Sequence, residues 1–200
     1  MKPSLLLLDR DGILNELCHE PEFGTVDVPA RPDQVRLTET AITAVRRINE
    51  ARIPCAVVSN QPGIAKGKLT LELLQEVTRA LIGQLAAGGA VVDRFYYCLH
   101  HPKAVVPELR ADCPNRKPKP GLLKLAAAGY GFSPSDCWFI GDTEPDIRAG
   151  LAAGCQTAWV GSMRCDVCPA RRGLEPDVFA EDLLAAVSKI LGRSHDAGAT

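Results

Sequence analysis

Two carboxylates, Asp9 and Asp11, stand one residue apart at the end of four leucines in the segment LLLLDRDGILNE (5–16). Like charges so close repel, and taking either acid out of water is costly unless a cation compensates. Two arrangements relieve that cost: a solvated strand-end turn with Arg10 as counter-ion, or a site for a divalent metal ion. Other apolar runs end in the same manner. IPCAVVSN stops on Ser59 and Asn60, and CWFIGD stops on Asp142. Cations gather in RKPKPG, where Arg116 offers a planar fork and Lys117 a point charge. A local basic cluster of this kind can meet a phosphorylated partner.

The elements that must position these groups alternate. A buried strand over LLLLD is followed by a helix in TETAITAVRRINEA, with Ile42, Val45 and Ile48 on one face. After the strand IPCAVVSN comes a helix in LTLELLQEVTRALIGQLAA, with Thr70 as N-cap and Leu74, Val77, Leu81 and Leu85 as its apolar stripe. Strands in AVVDRFYYC, CWFIGD and QTAWVG and helices in GLLKLAAAGY, PDIRAGLAAG and AEDLLAAVSKIL complete the pattern. This order predicts an α/β protein, a Rossmann-like three-layer fold with a mostly parallel sheet between helices. Ligands of such sheets sit beyond the carboxyl ends of the strands. Asp9, Ser59, Asn60 and Asp142 all fall at that edge. The connections 10–36 and 99–120 are long, yet neither has room for a separate cap domain. The expectation is one domain over residues 1–192 and a frayed tail at 193–200.

The formal net charge of −1 gives no electrostatic footprint for nucleic acid or an anionic membrane. No apolar run reaches the length of a membrane span, and the N-terminal leucines lack the features of a secretory leader. The reading is a cytoplasmic protein, expected to be monomeric, whose eight cysteines are reduced.

DRDGILN (9–15), SNQPGIAKG (59–67), RKPKPG (116–121) and GDTEPD (141–146) resemble, in order, the four motifs of the haloacid-dehalogenase (HAD) superfamily of phosphatases. Within it the motifs are most similar to the group of heptose 1,7-bisphosphate and histidinol-phosphate phosphatases. The resemblance implies a Mg²⁺-dependent hydrolase of a small phosphorylated metabolite. In that scheme Asp9 is the nucleophile and forms an aspartyl-phosphate, while Asp11 protonates the leaving oxygen and then takes a proton from water. Metal ligands are the Asp9 and Asp142 carboxylates and the Asp11 backbone carbonyl. Lys117 neutralises charge on Asp9 and the phosphoryl group. Ser59, Asn60, Gln61 and Arg116 bind substrate, Lys66 reaches a distal phosphate, and Asp146 steadies the metal shell or Lys117. Residues near Cys18, His19 and Glu20 contact sugar. The 7-phosphate of the heptose bisphosphate is the favoured substrate, and histidinol phosphate or a broader set of monoesters is the alternative.

The same group carries a zinc loop with the pattern Cys-x-His, then Cys-x-Cys. Cys98, His100 and Cys113 match three of its positions, and Asn115 stands at the fourth. Closed zinc sites want four N/S ligands. Zinc with three protein ligands and water, zinc completed by another side chain, and a metal-free loop all stay open. Cys165 and Cys168 have ligand spacing as well, but read as an incidental pair of thiols.

Overall fold

A computed structural model describes residues 2–20, 24–161 and 174–196. Strand β1 (Leu5–Leu8) lies at the centre of a six-stranded sheet. Beside it are β4 (Cys55–Asn60) on one flank and β6 (Cys137–Gly141) on the other. The outer strands are β5 (Arg94–Cys98), next to β4, and β7 (Gln156–Val160) and β8 (Val178–Ala180), beyond β6. All five pairings are parallel. The chain leaves β1 towards β4 and leaves β6 towards β7, so the carboxyl ends of β1 and β6 flank the crevice where the winding reverses.

Side chains of β1 alternate between two cores, as the two-residue repeat of a strand requires. Leu6 and Leu8 pack with Val45 and Ile48 of α1 (Ala41–Glu50), Val77 and Leu81 of α2 (Leu71–Ala87), and Val187 of α5 (Leu183–Asp196). Leu5 and Leu7 face the opposite layer, with Leu123 and Ala126 of α3 (Gly121–Gly129) and Ala149 of α4 (Glu144–Ala153). The expected stripe of α2 is buried throughout, and the Thr70 side chain accepts from the Leu73 amide as N-cap. On α1 the buried face is Ala41, Ala44, Val45 and Ile48, and Ile42 is only half-buried.

Two features depart from the reading of the sequence. The connection after β1 contains an antiparallel hairpin of β2 (Cys18–Glu20) and β3 (Thr25–Asp27). The sheet also gains β8, a three-residue strand too short to stand out in a hydropathy pattern. Cys165 and Cys168 lie outside the described residues. No helix among those described is long and apolar enough to cross a membrane.

Candidate active site

Sheet geometry delivers Asp9 to the crevice directly. Its amide extends the ladder by donating to the Ile140 carbonyl at 2.9 Å, and the next residue leaves the sheet. Gly12 makes that departure possible. Its φ is +82°, and a Cβ there would lie 2.1 Å from Asp142 Oδ2, so backbone conformation and close approach both demand glycine. Asp142 thus sits against the turn carrying Asp9 and Asp11.

Lys117 supplies the cation at this edge. It comes from the loop before α3 and is 3% exposed. Its ammonium lies 2.9 Å from Asp9 Oδ1 and 2.6 Å from Asp146 Oδ1, and donates to the Val58 carbonyl at 3.1 Å. Three acceptors therefore meet the three hydrogens of the ammonium, which offsets the cost of burying it. Burial alone would lower the affinity of Lys117 for its proton, but Asp146 and Asp9 reverse this and raise it. Asp146 is held from both sides. Its Oδ2 accepts from the Thr143 amide at 3.0 Å and from the Thr143 hydroxyl, capping α4, while Oδ1 faces Lys117.

Even with Lys117 present, the carboxylates outnumber the cation. Burial, together with Asp146 and Asp11, pushes Asp9 up to about 6 against the pull of Lys117. Burial and the charges of Asp146 and Asp9 push Asp142 up to about 7. Oxygens of Asp9, Asp142 and Asp146 lie within 4.8 Å of one another, and buried Asp142 Oδ1 has no hydrogen-bond partner. A cluster of hard oxygen donors with an unpartnered buried carboxylate oxygen fits a hard divalent cation. Asp9 and Asp142 carry the open acceptors, since Asp146 is committed to Lys117 and Thr143.

Asp11 is turned into a different set of partners. Oδ1 accepts from Arg10 Nε (3.1 Å), Arg10 Nη2 (2.9 Å) and Asn15 Nδ2 (3.0 Å). Oδ2 accepts from Gln61 Nε2 at 2.6 Å, and that nitrogen also lies 3.2 Å from Ser59 Oγ. Arg10 is therefore no solvated counter-ion. It is fully buried, with its guanidinium 5.7 Å from the centre of the Tyr97 ring.

Among the expected substrate-binding residues, Ser59 and Gln61 are buried at the crevice beside Asp11. Asn60 is engaged elsewhere. Its Nδ2 donates to the Lys117 carbonyl and its Oδ1 accepts from the Lys117 amide, both at 3.0 Å, so its side chain fixes the backbone that carries the lysine. Arg116 is half-buried and donates to the His100 carbonyl at 3.1 Å; Lys66 is exposed. Cys18 and His19 line a polar hollow with Glu16, Asp27 and Arg36, and Asp27 pairs with Lys68 across to the loop after β4. Arg10, Asn15 and the Asn60–Lys117 pair escaped sequence reasoning as site-building residues. Asn15 stood inside the quoted DRDGILN motif, so position gave a signal there; Asn60 and Lys117 are too far apart in sequence for one.

Cys98, His100 and Cys113 bring their ligand atoms within 4.8 Å of one another. Burial, aided by the neighbouring Cys113, pushes the Cys98 thiol up to about 11. Such soft N/S donors fit zinc at three positions. The fourth does not match: Asn115 brings a carbonyl oxygen to where Gly121 opens α3, 2.4 Å from a Cβ built on that glycine.

Comparison with known proteins agrees with this geometry. Residues 114–186 match the HAD-hydrolase-like family model. Over 193 residues the chain is 33% identical to D-glycero-beta-D-manno-heptose-1,7-bisphosphate 7-phosphatase of Pseudomonas aeruginosa, covering 96% of this chain and 99% of the relative. It is also 33% identical over 152 residues to the enzyme of that name from Escherichia coli K12, covering 76% and 75%. The crystal structure of D,D-heptose 1,7-bisphosphate phosphatase from B. bronchiseptica, complexed with magnesium and phosphate, superposes with a TM-score of 0.79 at 28% identity, covering 96% of this chain and 99% of that one. With its Asp9–Asp11 turn, buried lysine and paired strand-end acids, the chain belongs to the HAD family and is a phosphoric monoester hydrolase.

Proposed function

We propose that this chain removes the 7-phosphate of D-glycero-D-manno-heptose 1,7-bisphosphate through an aspartyl-phosphate on Asp9, acting as one catalytic domain. The observation that carries the reading is the Asp9–Lys117–Asp146 chain beside the unpartnered oxygen of Asp142. Similarity to relatives bearing that name along nearly the whole chain supports the substrate.

Asp9 attacks the phosphorus through a carboxylate oxygen. Lys117 holds Asp9 Oδ1 at 2.9 Å, fixing the carboxylate and countering the charge that builds on the transferring group. Asp11 protonates the sugar oxygen as its bond to phosphorus breaks, then accepts a proton from the water that releases phosphate from Asp9. Ser59 and Gln61 lie beside Asp11 to hold phosphoryl oxygens, with Arg116 and Lys66 outside them for the second phosphate. Asp9, Asp142 and the Asp11 backbone carbonyl would hold Mg²⁺. When bound, the ion screens the repulsion between the carboxylates and the phosphate dianion.

For the thiol-imidazole cluster the reading is zinc held by Cys98, His100 and Cys113 with one position left open. A site so incomplete loses metal readily, so purified protein carries less than one zinc per chain. One firmly held zinc, or none after zinc-replete expression, would contradict this.

The test is phosphate release across heptose 1,7-bisphosphate, histidinol phosphate and common sugar phosphates. The bisphosphate is expected to give the highest kcat/KM. A preference for histidinol phosphate would transfer the assignment to that amino-alcohol ester.

A further inference from the structure

We propose that Arg10 and Gln61 divide the two oxygens of Asp11 between them, so that Oδ2 alone carries the catalytic proton. The inference rests on the assignment of Asp11 as acid and base.

Oδ1 accepts two bonds from Arg10 and one from Asn15, at 2.9 to 3.1 Å, which leaves no lone pair for a proton. Arginine does not deprotonate in proteins, so this oxygen faces a cation throughout the cycle. Arg10 is itself immobilised. Its guanidinium lies over the Tyr97 ring, the Tyr97 hydroxyl is 3.0 Å from Thr78 Oγ1, and Thr78 in turn donates to the Leu74 carbonyl at 2.8 Å. The anchor of Asp11 therefore runs into the middle of α2.

Oδ2 has a different partner. Gln61 meets it at 2.6 Å through a neutral amide, on the side where Ser59 stands. A terminal amide can donate through nitrogen or, after a half-turn about its last torsion, accept through oxygen. Gln61 can therefore bond Asp11 ionised, donating to it, or protonated, accepting from it. Arg10 offers no such alternative. As the ester bond breaks, the proton on Oδ2 passes to the departing sugar oxygen, which takes the bonding pair. In the second half-reaction water bonds to phosphorus, the Asp9–phosphorus bond breaks towards Asp9, and the proton of the water returns to Oδ2. Arg10 and Gln61 act as positioning residues, each through Asp11.

An alkyl phosphate needs a proton on its leaving oxygen, whereas p-nitrophenyl or acetyl phosphate does not. Arg10→Lys and Gln61→Met are expected to lower kcat/KM for the sugar phosphate by about 10-fold or more, the lower range of acid–base effects. For the activated esters each variant should lose at least about fivefold less than it loses on the sugar phosphate, since the hold of Gln61 on the phosphoryl oxygens is common to both kinds of ester. Equal losses on both kinds of ester would overturn the proposal. Asp11→Asn separates the two levels: if it shows no difference between esters, the role of Asp11 itself fails; if it does and the other variants do not, only this inference fails. Melting curves verify that each variant is folded. Should Arg10→Lys not fold, Gln61→Met, of similar shape, decides the outcome alone.

Discussion

Two clusters among the described residues have the donor atoms of a metal site, and they are built in opposite ways. Asp9 and Asp142 follow directly on buried parallel strands, and their partner Lys117 is locked from both the backbone and the side-chain end. Cys98 ends an edge strand, while His100 and Cys113 come from the long loop after it. In the first cluster the acids face a permanent internal cation. In the second, neutral thiols and an imidazole face one another, and the position that would close the set is an asparagine. A sheet edge can hold like charges together because its strands cannot move apart. A loop has no such constraint, and its order rests on the contacts it makes, the Arg116 bond to the His100 carbonyl among them.

Breaking the first cluster should have the largest consequence. Asp9→Asn keeps the shape but removes the proposed nucleophile, and turnover should fall by about 10,000-fold or more while the melting curve stays cooperative. Near-normal phosphate release would refute the assignment. Lys117→Met comes next: loss of one preorganised charge should lower kcat by about 100- to 1,000-fold. It also leaves Asp9 and Asp146 buried without their cation, so melting should drop most at neutral to alkaline pH.

A third prediction concerns pH and the metal. The folded carboxyls of Asp9 and Asp142 lie at about 6 and about 7, above their ordinary values. Between about pH 4 and pH 7 the folded state therefore binds more protons than the unfolded one, and stability from these groups declines as pH rises through that window. Metal-free protein should melt lower at pH 8 than at pH 5. Added Mg²⁺, which competes with those protons, should raise melting by at least about 3 °C more at the higher pH. A Mg²⁺ effect independent of pH would separate the ion from these carboxylates.

Smaller effects belong to the connections between the clusters and the sheet. Asn60→Ala removes both bonds to the Lys117 backbone and should lower kcat by about 10-fold with little change in melting, a displacement of Lys117 rather than loss of fold. Asn115→Cys sharpens the comparison from the other side. Supplying a third thiol should raise zinc content towards one per chain by elemental analysis and change kcat by less than about twofold.

Much of the carboxylate cluster was legible because strand ends are legible. Three apolar runs stop on polar residues, and the rules of parallel sheets place those stops on one edge. Arg10 was harder. Adjacent charges in sequence left a solvated turn as one of two arrangements, but the guanidinium is buried against Tyr97, a residue on β5 that no local pattern connects to it. The Asn60–Lys117 pair spans 57 positions and exists only once two loops meet. The β2–β3 hairpin and β8 were missed because three residues carry too little periodicity to register.

Lys117 touches only one end of each acid that it serves. Three carboxylates against one ammonium leave the crevice anionic, and an incoming phosphate adds to that excess. A divalent ion must therefore arrive no later than the ester. In a titration calorimeter, inorganic phosphate should give heat with protein already loaded with Mg²⁺ and almost none with protein stripped by chelation.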